Sequence, residues 1–110
     1  MFGRKPSLDR IRKRATRAII AHARSITPGA WGFSFGAIDI DPKHLSVWVA
    51  TKTDAQRDRL ASNPAVSDRF RQILAAEGYP ASVLDEVNFT FESQETVDRE
   101  FGGNWWYAQK

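Results

Sequence analysis

The chain contains no cysteine among its 110 residues and only two histidines. The lack of cysteine excludes disulfides, thiolate metal sites and a thiol nucleophile. A small chain without disulfides is typical of a reducing compartment, so we expect a cytoplasmic location. A metal site would have to rely on carboxylates. The sequence therefore predicts no metal site and no cofactor.

Long apolar runs are also missing. No segment approaches the roughly 20 consecutive apolar residues that a membrane-spanning helix needs. The Arg-rich start of the chain resembles a mitochondrial transit peptide. Its apolar residues continue in register to Ile26, however, as expected for a helix of the folded protein. We expect no association with a membrane.

The composition that remains, 42% apolar and 26% charged residues, is ordinary for one globular domain. We expect a flexible lead over residues 1–6 and a single domain over 7–110. The charge is distributed unevenly. Residues 1–24 hold eight basic residues and one acidic residue, whereas the rest of the chain has a net negative charge. This asymmetry predicts an anionic partner for the first element, although neutralisation by the acidic remainder is the alternative.

The first element is predicted to be a helix over residues 7–26, with Ser7 as its N-cap and Pro28-Gly29 at its end. Its apolar stripe, at helical spacing, comprises Leu8, Ile11, Ala15, Ile19 and Ile26. His22 falls within the same arc, which favours a buried structural histidine over a base or a ligand.

A basic stripe lies roughly opposite the apolar one on the helical wheel. It comprises Arg10, Lys13, Arg14, Arg17 and Arg24, with Arg4 and Lys5 in the lead as further cations. A line of permanent positive charges suits a phosphodiester backbone, and arginine can fork onto phosphate oxygens. A solvated helix face and an anionic protein partner are the alternatives.

A β-hairpin is predicted next, with strands at 31–40 and 44–51 joined by a turn at Asp41-Pro42. The first strand alternates bulky residues with Gly32, Ser34 and Gly36, so one of its faces is nearly bare. The apolar parity changes after Gly36, which predicts a β-bulge there. The bare face could receive a helix or a partner protein.

In the second half of the sequence we predict helices at 54–62 and from Pro64 to Gly78, a strand at 87–91 and a helix at 93–101. The order is therefore α-β-β-α-α-β-α. The economical arrangement is an α+β fold with a three-stranded sheet covered by helices on one face.

The last residues carry an aromatic cluster of Trp105, Trp106 and Tyr107 beside Gly102-Gly103. Such side chains can stack on unpaired bases or contact a partner. More often a terminal aromatic cluster packs back onto the sheet and seals the core.

Catalytic signals are weak. Neither His22 nor His44 has a sequence partner that suggests a triad, and Asp41 beside Pro42 is typical of a turn. We therefore expect a protein that is not an enzyme. An enzyme or small-ligand binder using Asp39, Asp41 and the C-terminal tail is the weakest alternative.

Three segments form a pattern that is found in one known family: the hairpin Ala37–Ala50, the helix break Ser62-Asn63-Pro64-Ala65, and the last strand with its lead-in, Leu84–Glu92. In these segments the chain resembles the ribosome-binding factor A family, which has a type II K-homology fold. The resemblance covers residues 7–92 as a pattern and leaves 93–110 unmatched. The family's Ala-x-Gly kink and the Gly-x-x-Gly loop of other K-homology domains are both absent.

The resemblance implies an α-β-β-α-α-β topology and a non-enzymatic RNA-binding or ribosome-associated module. Together with the basic stripe, this is the leading hypothesis. The alternative is a small protein-interaction module, such as an inhibitor or immunity-type protein, that uses the bare strand face or the aromatic tail.

Overall fold

The computed structural model describes residues 6–110, so the expected lead, with Arg4 and Lys5, lies almost wholly outside the described residues. The described helices and strands are α1 (Leu8–Ile26), β1 (Trp31–Phe35), β2 (Ser46–Thr51), α2 (Asp54–Ala61), α3 (Pro64–Glu77), β3 (Asn88–Ser93), α4 (Gln94–Phe101) and α5 (Trp105–Ala108). Two short 3-10 helices, Pro42–His44 and Ala81–Glu86, lie between them. The α+β class is confirmed, and α5 and the 3-10 helices are additions to the predicted order. No helix among residues 6–110 is long and apolar enough to cross a membrane.

The helix boundaries follow from local capping. The Ser7 side chain accepts a hydrogen bond from the Arg10 amide, and Thr53 with Gln56 forms the predicted capping box at the start of α2. Gly78 ends α3 in the left-handed conformation, with φ of 99°. These predicted caps are confirmed.

The sheet has the strand order β1-β2-β3. β1 runs antiparallel to β2 with Phe33 opposite Trp48, and β2 runs parallel to β3 with Val47 opposite Phe89. The parallel pair requires the long crossover that α2 and α3 provide.

The two sheet faces are covered differently. Phe89 and Phe91 lie on one face and contact Phe70 of α3, with ring centroids 5.4 and 6.1 Å apart. α1 packs on the same face beside β1. On the opposite face Trp31 contacts Trp105 of α5 at 5.6 Å. The long helices therefore cover one face as predicted, while the C-terminal tail covers part of the other.

The first predicted strand is too long, and the predicted bulge is wrong. β1 ends at Phe35, because Gly36 has φ of 138° and a Cβ there would overlap the His44 carbonyl oxygen. The chain then leaves the ladder and turns. Ile38 becomes buried and Ile40 is 82% exposed. Their alternation, which looked like a strand, reflects a turn with one residue facing inward.

The buried face of α1 is also broader than predicted. Ile20 and Ala23 are buried, whereas Ile26 is exposed. The reason is β1, which packs along the side of the helix that carries Ile20. His22 is half-buried, with its ring edge-on to Phe70 at 6.1 Å.

Candidate functional site

A groove of about 400 Å³ lies between α1 and the edge strand β1. Four cations line it: Arg12, Lys13, Arg17 and Arg24. Ile20, Gly32 and Phe33 supply its apolar surface, and Thr16 and Ser34 supply hydroxyl groups. We call this feature the cationic groove.

The groove depends on the close approach of α1 to β1 at Gly32. A Cβ at this position would overlap both the Trp48 carbonyl oxygen and the Cδ1 atom of Ile20. Glycine therefore allows the helix and the strand to meet directly, and the neighbouring helix positions overhang the edge of the sheet. The bare strand face predicted from the sequence is used for this contact. Gly32 and Ser34 are thus packed against α1, which corrects the suggestion that they offer an open docking face.

Arg12 is fixed at one end of the groove. Its Nη1 atom donates to the carbonyl oxygen and to the Oγ atom of Ser34, at 3.1 and 2.9 Å. Its Nη2 atom donates to Asp9 at 2.7 Å. The Thr16 and Ser34 hydroxyls are 2.7 Å apart and complete the network. Arg12 therefore shapes the groove and holds few donors for a ligand.

Arg24 and Arg17 are differently placed. The Nε atom of Arg24 donates to the Ala30 carbonyl oxygen at 2.7 Å, which leaves its two terminal nitrogens without a hydrogen bond in the described part of the chain. Arg17 forms neither a side-chain hydrogen bond nor an ion pair within residues 6–110. Both guanidinium groups can therefore donate to an incoming anion in the forked geometry that suits phosphate.

Lys13 pairs with Asp9 at 3.1 Å, and its side chain is 60% exposed. Hydrogen bonds from Arg12 and Lys13 hold the pKa of Asp9 below its usual value. An exposed pair of this kind contributes little to stability, so a phosphate can compete for Lys13 at small cost. The groove thus carries four cations against one neighbouring carboxylate.

The free edge of β1 brings backbone groups close to α1. The Ala30 and Ser34 carbonyls point toward α1, as their hydrogen bonds with Arg24 and Arg12 show. Backbone groups alternate in direction along an antiparallel strand, so those of Gly32 also point away from β2. The Gly32 amide and carbonyl are therefore expected on this same edge, between the Ala30 and Ser34 carbonyls, which accept hydrogen bonds from Arg24 and Arg12.

The other members of the predicted basic stripe lie elsewhere. Arg14 pairs with Glu77 of α3 at 3.4 Å, and Arg10 is exposed outside the groove. The stripe therefore divides around the axis of α1 into two sets that face different directions. Lys13, Arg17 and Arg24 face the edge of the sheet, whereas Arg10 and Arg14 face solvent and α3. The sequence alone does not place β1 beside the helix. Arg12 and Thr16 were therefore missed as groove residues, although Arg12 borders the apolar stripe, and Ser34 was assigned to an open strand face.

The three aromatic residues of the C-terminal tail lie in two different environments. Trp105 packs on Trp31, and its Nε1 atom donates to Gln94 at 2.9 Å, as expected for a residue that seals the fold. Trp106 and Tyr107 are 64% and 54% exposed and remain available for contacts.

The weaker candidates for catalysis or ligand binding, Asp39, Asp41 and His44, do not form a site in the described residues. Asp41 accepts a hydrogen bond from the Lys43 amide at 3.0 Å, which is the turn chemistry expected of it. Asp39 and His44 are exposed. Among residues 6–110 no group of three or more histidine or acidic side chains could hold a metal ion.

Comparison of the chain with protein-family models, with curated proteins and with solved structures returns no match. The resemblance to ribosome-binding factor A therefore remains a prediction.

Proposed function

We propose that this protein is a non-enzymatic RNA-binding or ribosome-associated module, and that the cationic groove holds the phosphodiester backbone. The observation that carries the proposal is the placement of Arg17 and Arg24. Both present guanidinium donors at one groove, without a carboxylate partner in residues 6–110.

The dimensions of the site support a polymer rather than a single ion. The groove follows α1 from Arg12 to Arg24, about 18 Å at 1.5 Å per residue. This length matches several consecutive phosphates. Each neutralised phosphate releases counterions, so binding to such a site strengthens as the salt concentration falls.

The arrangement of the cations favours RNA over an acidic protein as the ligand. An acidic protein patch offers carboxylates at irregular spacing, whereas Lys13, Arg17 and Arg24 follow one line beside an edge strand.

The proposal is tested by fluorescence anisotropy with a labelled, mixed-sequence 12-nucleotide single-stranded RNA at increasing salt. For the wild-type protein we expect the logarithm of the binding constant to fall linearly with the logarithm of the salt concentration. The double variant Arg17→Gln/Arg24→Gln removes two phosphate contacts. It should bind about tenfold or more weakly at low salt, with a slope smaller by about 1.4.

The matched control is Arg59→Gln/Arg69→Gln, which removes the same charge from exposed positions on α2 and α3. We expect it to bind nearly as the wild-type protein does. Equal losses in the two double variants would show that only net charge matters. Binding too weak to measure at low salt would overturn the proposal.

A further inference from the structure

A second groove continues from the cationic groove around the end of β1. It has a volume of about 540 Å³ and is lined by Phe33, Ser34, Phe35, Trp106 and Gln109. We call it the aromatic groove. Phe33 and Ser34 line both grooves, so the two form one continuous surface.

The aromatic groove presents ring surface to solvent. The rings of Phe33 and Phe35 lie 6.1 Å apart at 22°, and Phe33 stacks in turn on Trp48 at 5.9 Å. Phe35 is 41% exposed and Trp106 is 64% exposed. Trp48, by contrast, is almost completely buried. The sheet therefore holds Phe33 and Phe35 in fixed orientation, while α5 places an indole beside them.

No carboxylate side chain among residues 6–110 lines the aromatic groove. The Lys110 ammonium lies 5.5 Å from the Trp106 ring and 5.3 Å from the Tyr107 ring. Cations thus lie both in the cationic groove and beside α5. An occupant with aromatic faces and a negatively charged backbone matches this combination.

We infer that the aromatic groove binds unpaired bases of the same strand whose phosphates occupy the cationic groove, so that the protein selects single-stranded over double-stranded RNA. This inference rests on the proposed function. A duplex keeps its base faces stacked inside the helix, and rings on a protein surface cannot reach them. A single strand can turn its bases onto Phe35 and Trp106 while its backbone stays beside Arg17 and Arg24. Stacking on exposed rings is tolerant of sequence, because every base has an aromatic face.

The first test compares three labelled probes of equal length by anisotropy at one low salt concentration. They are a single-stranded RNA, the same RNA in a blunt duplex, and a single strand whose bases are replaced by abasic sites. We expect the single strand to bind at least about fivefold more tightly than either other probe. Equal affinity for the single strand and the abasic strand would overturn the inference while leaving the cationic groove intact.

The second test uses variants of the tail. Trp106→Ala should weaken binding of the single strand by about fivefold or more and leave the abasic strand unaffected. Tyr107→Ala is the matched control, because Tyr107 is an exposed aromatic on the same short helix that does not line the groove. Trp106→Phe should retain most of the affinity but lose most of the tryptophan quenching caused by RNA. Equal losses for Trp106→Ala and Tyr107→Ala would contradict the assignment.

Two further outcomes would show that the proposed function itself fails or that a second copy of the chain occupies the aromatic groove. If no probe binds at low salt, the proposed function fails together with the inference. If the wild-type protein is a dimer by analytical ultracentrifugation and Trp106→Ala makes it a monomer, a second copy of the chain occupies the aromatic groove and the inference is wrong.

Discussion

The molecule uses its arginines in two opposite ways on two sides of the sheet. Beside β1, Arg17 has no acidic partner in residues 6–110. Beside β3, Arg57 contacts three carboxylates within 3.5 Å, those of Asp54, Asp58 and Glu92. Arg99 pairs with Asp54 on the same side at 3.2 Å. We call this second set the acid-matched cluster.

The two sides differ in whether the guanidinium donors have partners within the described residues. In the acid-matched cluster the donors of Arg57 are used to join α2 to β3 and α4, including 2.8 Å to the Thr96 hydroxyl. In the cationic groove, Arg17 and the two terminal nitrogens of Arg24 have no hydrogen-bond partner within residues 6–110. Arginine count alone does not separate these roles, since net charge is a property of the whole surface. The position of the carboxylates separates them.

The largest expected effect concerns the floor of the cationic groove. Gly32→Ala should lower the free energy of unfolding by about 3 kcal/mol, because the added methyl overlaps a backbone oxygen that cannot move freely. Urea denaturation measures the change. Gly102→Ala is the control, since Gly102 has φ of 59° but no atom within 4 Å of the added carbon, and should cost about 1 kcal/mol. Equal costs at the two positions would show that α1 does not meet β1 as described.

The next effect compares one arginine from each side. Arg57→Ala should lower the free energy of unfolding by about 1–2 kcal/mol, because it leaves the largely buried Glu92 carboxylate without its 3.0 Å partner. Arg17→Ala should change the stability by less than about 0.5 kcal/mol. If Arg17→Ala is the more destabilising in thermal or urea unfolding, the contrast between the two sides is wrong.

The acid-matched cluster should also make the stability of the fold depend on pH. Hydrogen bonds from Ser93 and Thr96, with Arg99 nearby, lower the pKa of Asp54 to about 2. A depressed pKa stabilises the fold above the unfolded-state value of 3.8, and this stabilisation is lost as the pH falls toward 2. The urea midpoint of the wild-type protein should therefore decrease through this window. Asp54→Asn should be less stable at pH 7 and show a shallower decrease, and an equally steep one would contradict the assignment.

The smallest effect tests the division of the basic stripe. Arg14 pairs with Glu77 and lies outside the groove. Arg14→Gln should therefore change the affinity for single-stranded RNA less than about twofold, well below the loss for Arg17→Gln at the same salt concentration. Equal losses would show that the whole helix face binds RNA as one surface.

Much of the fold could be predicted because its signals are local. Ser7, the Thr53–Gln56 box and Gly78 each act within one turn of a helix, and alternation located parts of all three strands. The end of β1 could not be predicted in this way. It depends on the contact between Gly36 and His44, which are eight positions apart.

The candidate site could be predicted only in part, because some of its residues are placed by contacts between elements that are distant in the sequence. The helical wheel placed Lys13, Arg17 and Arg24 on one polar face, and they do line the groove. That Arg14 would instead meet Glu77, and that Ser34 would lie beside Arg12, depends on how α1 packs against α3 and β1. The periodicity of a single helix carries no information about its neighbours.

The most direct test of the contrast is a titration of ¹⁵N-labelled protein with a short single-stranded RNA at low salt, followed by amide chemical shifts. We predict that the amides that move are those of residues 12–24 and 31–35, with Gly32 among the largest, while those of α2 and α4 remain in place. Shifts concentrated in the acid-matched cluster, or no shifts at saturating RNA, would contradict the claim that the unmatched cations beside β1 form the binding site.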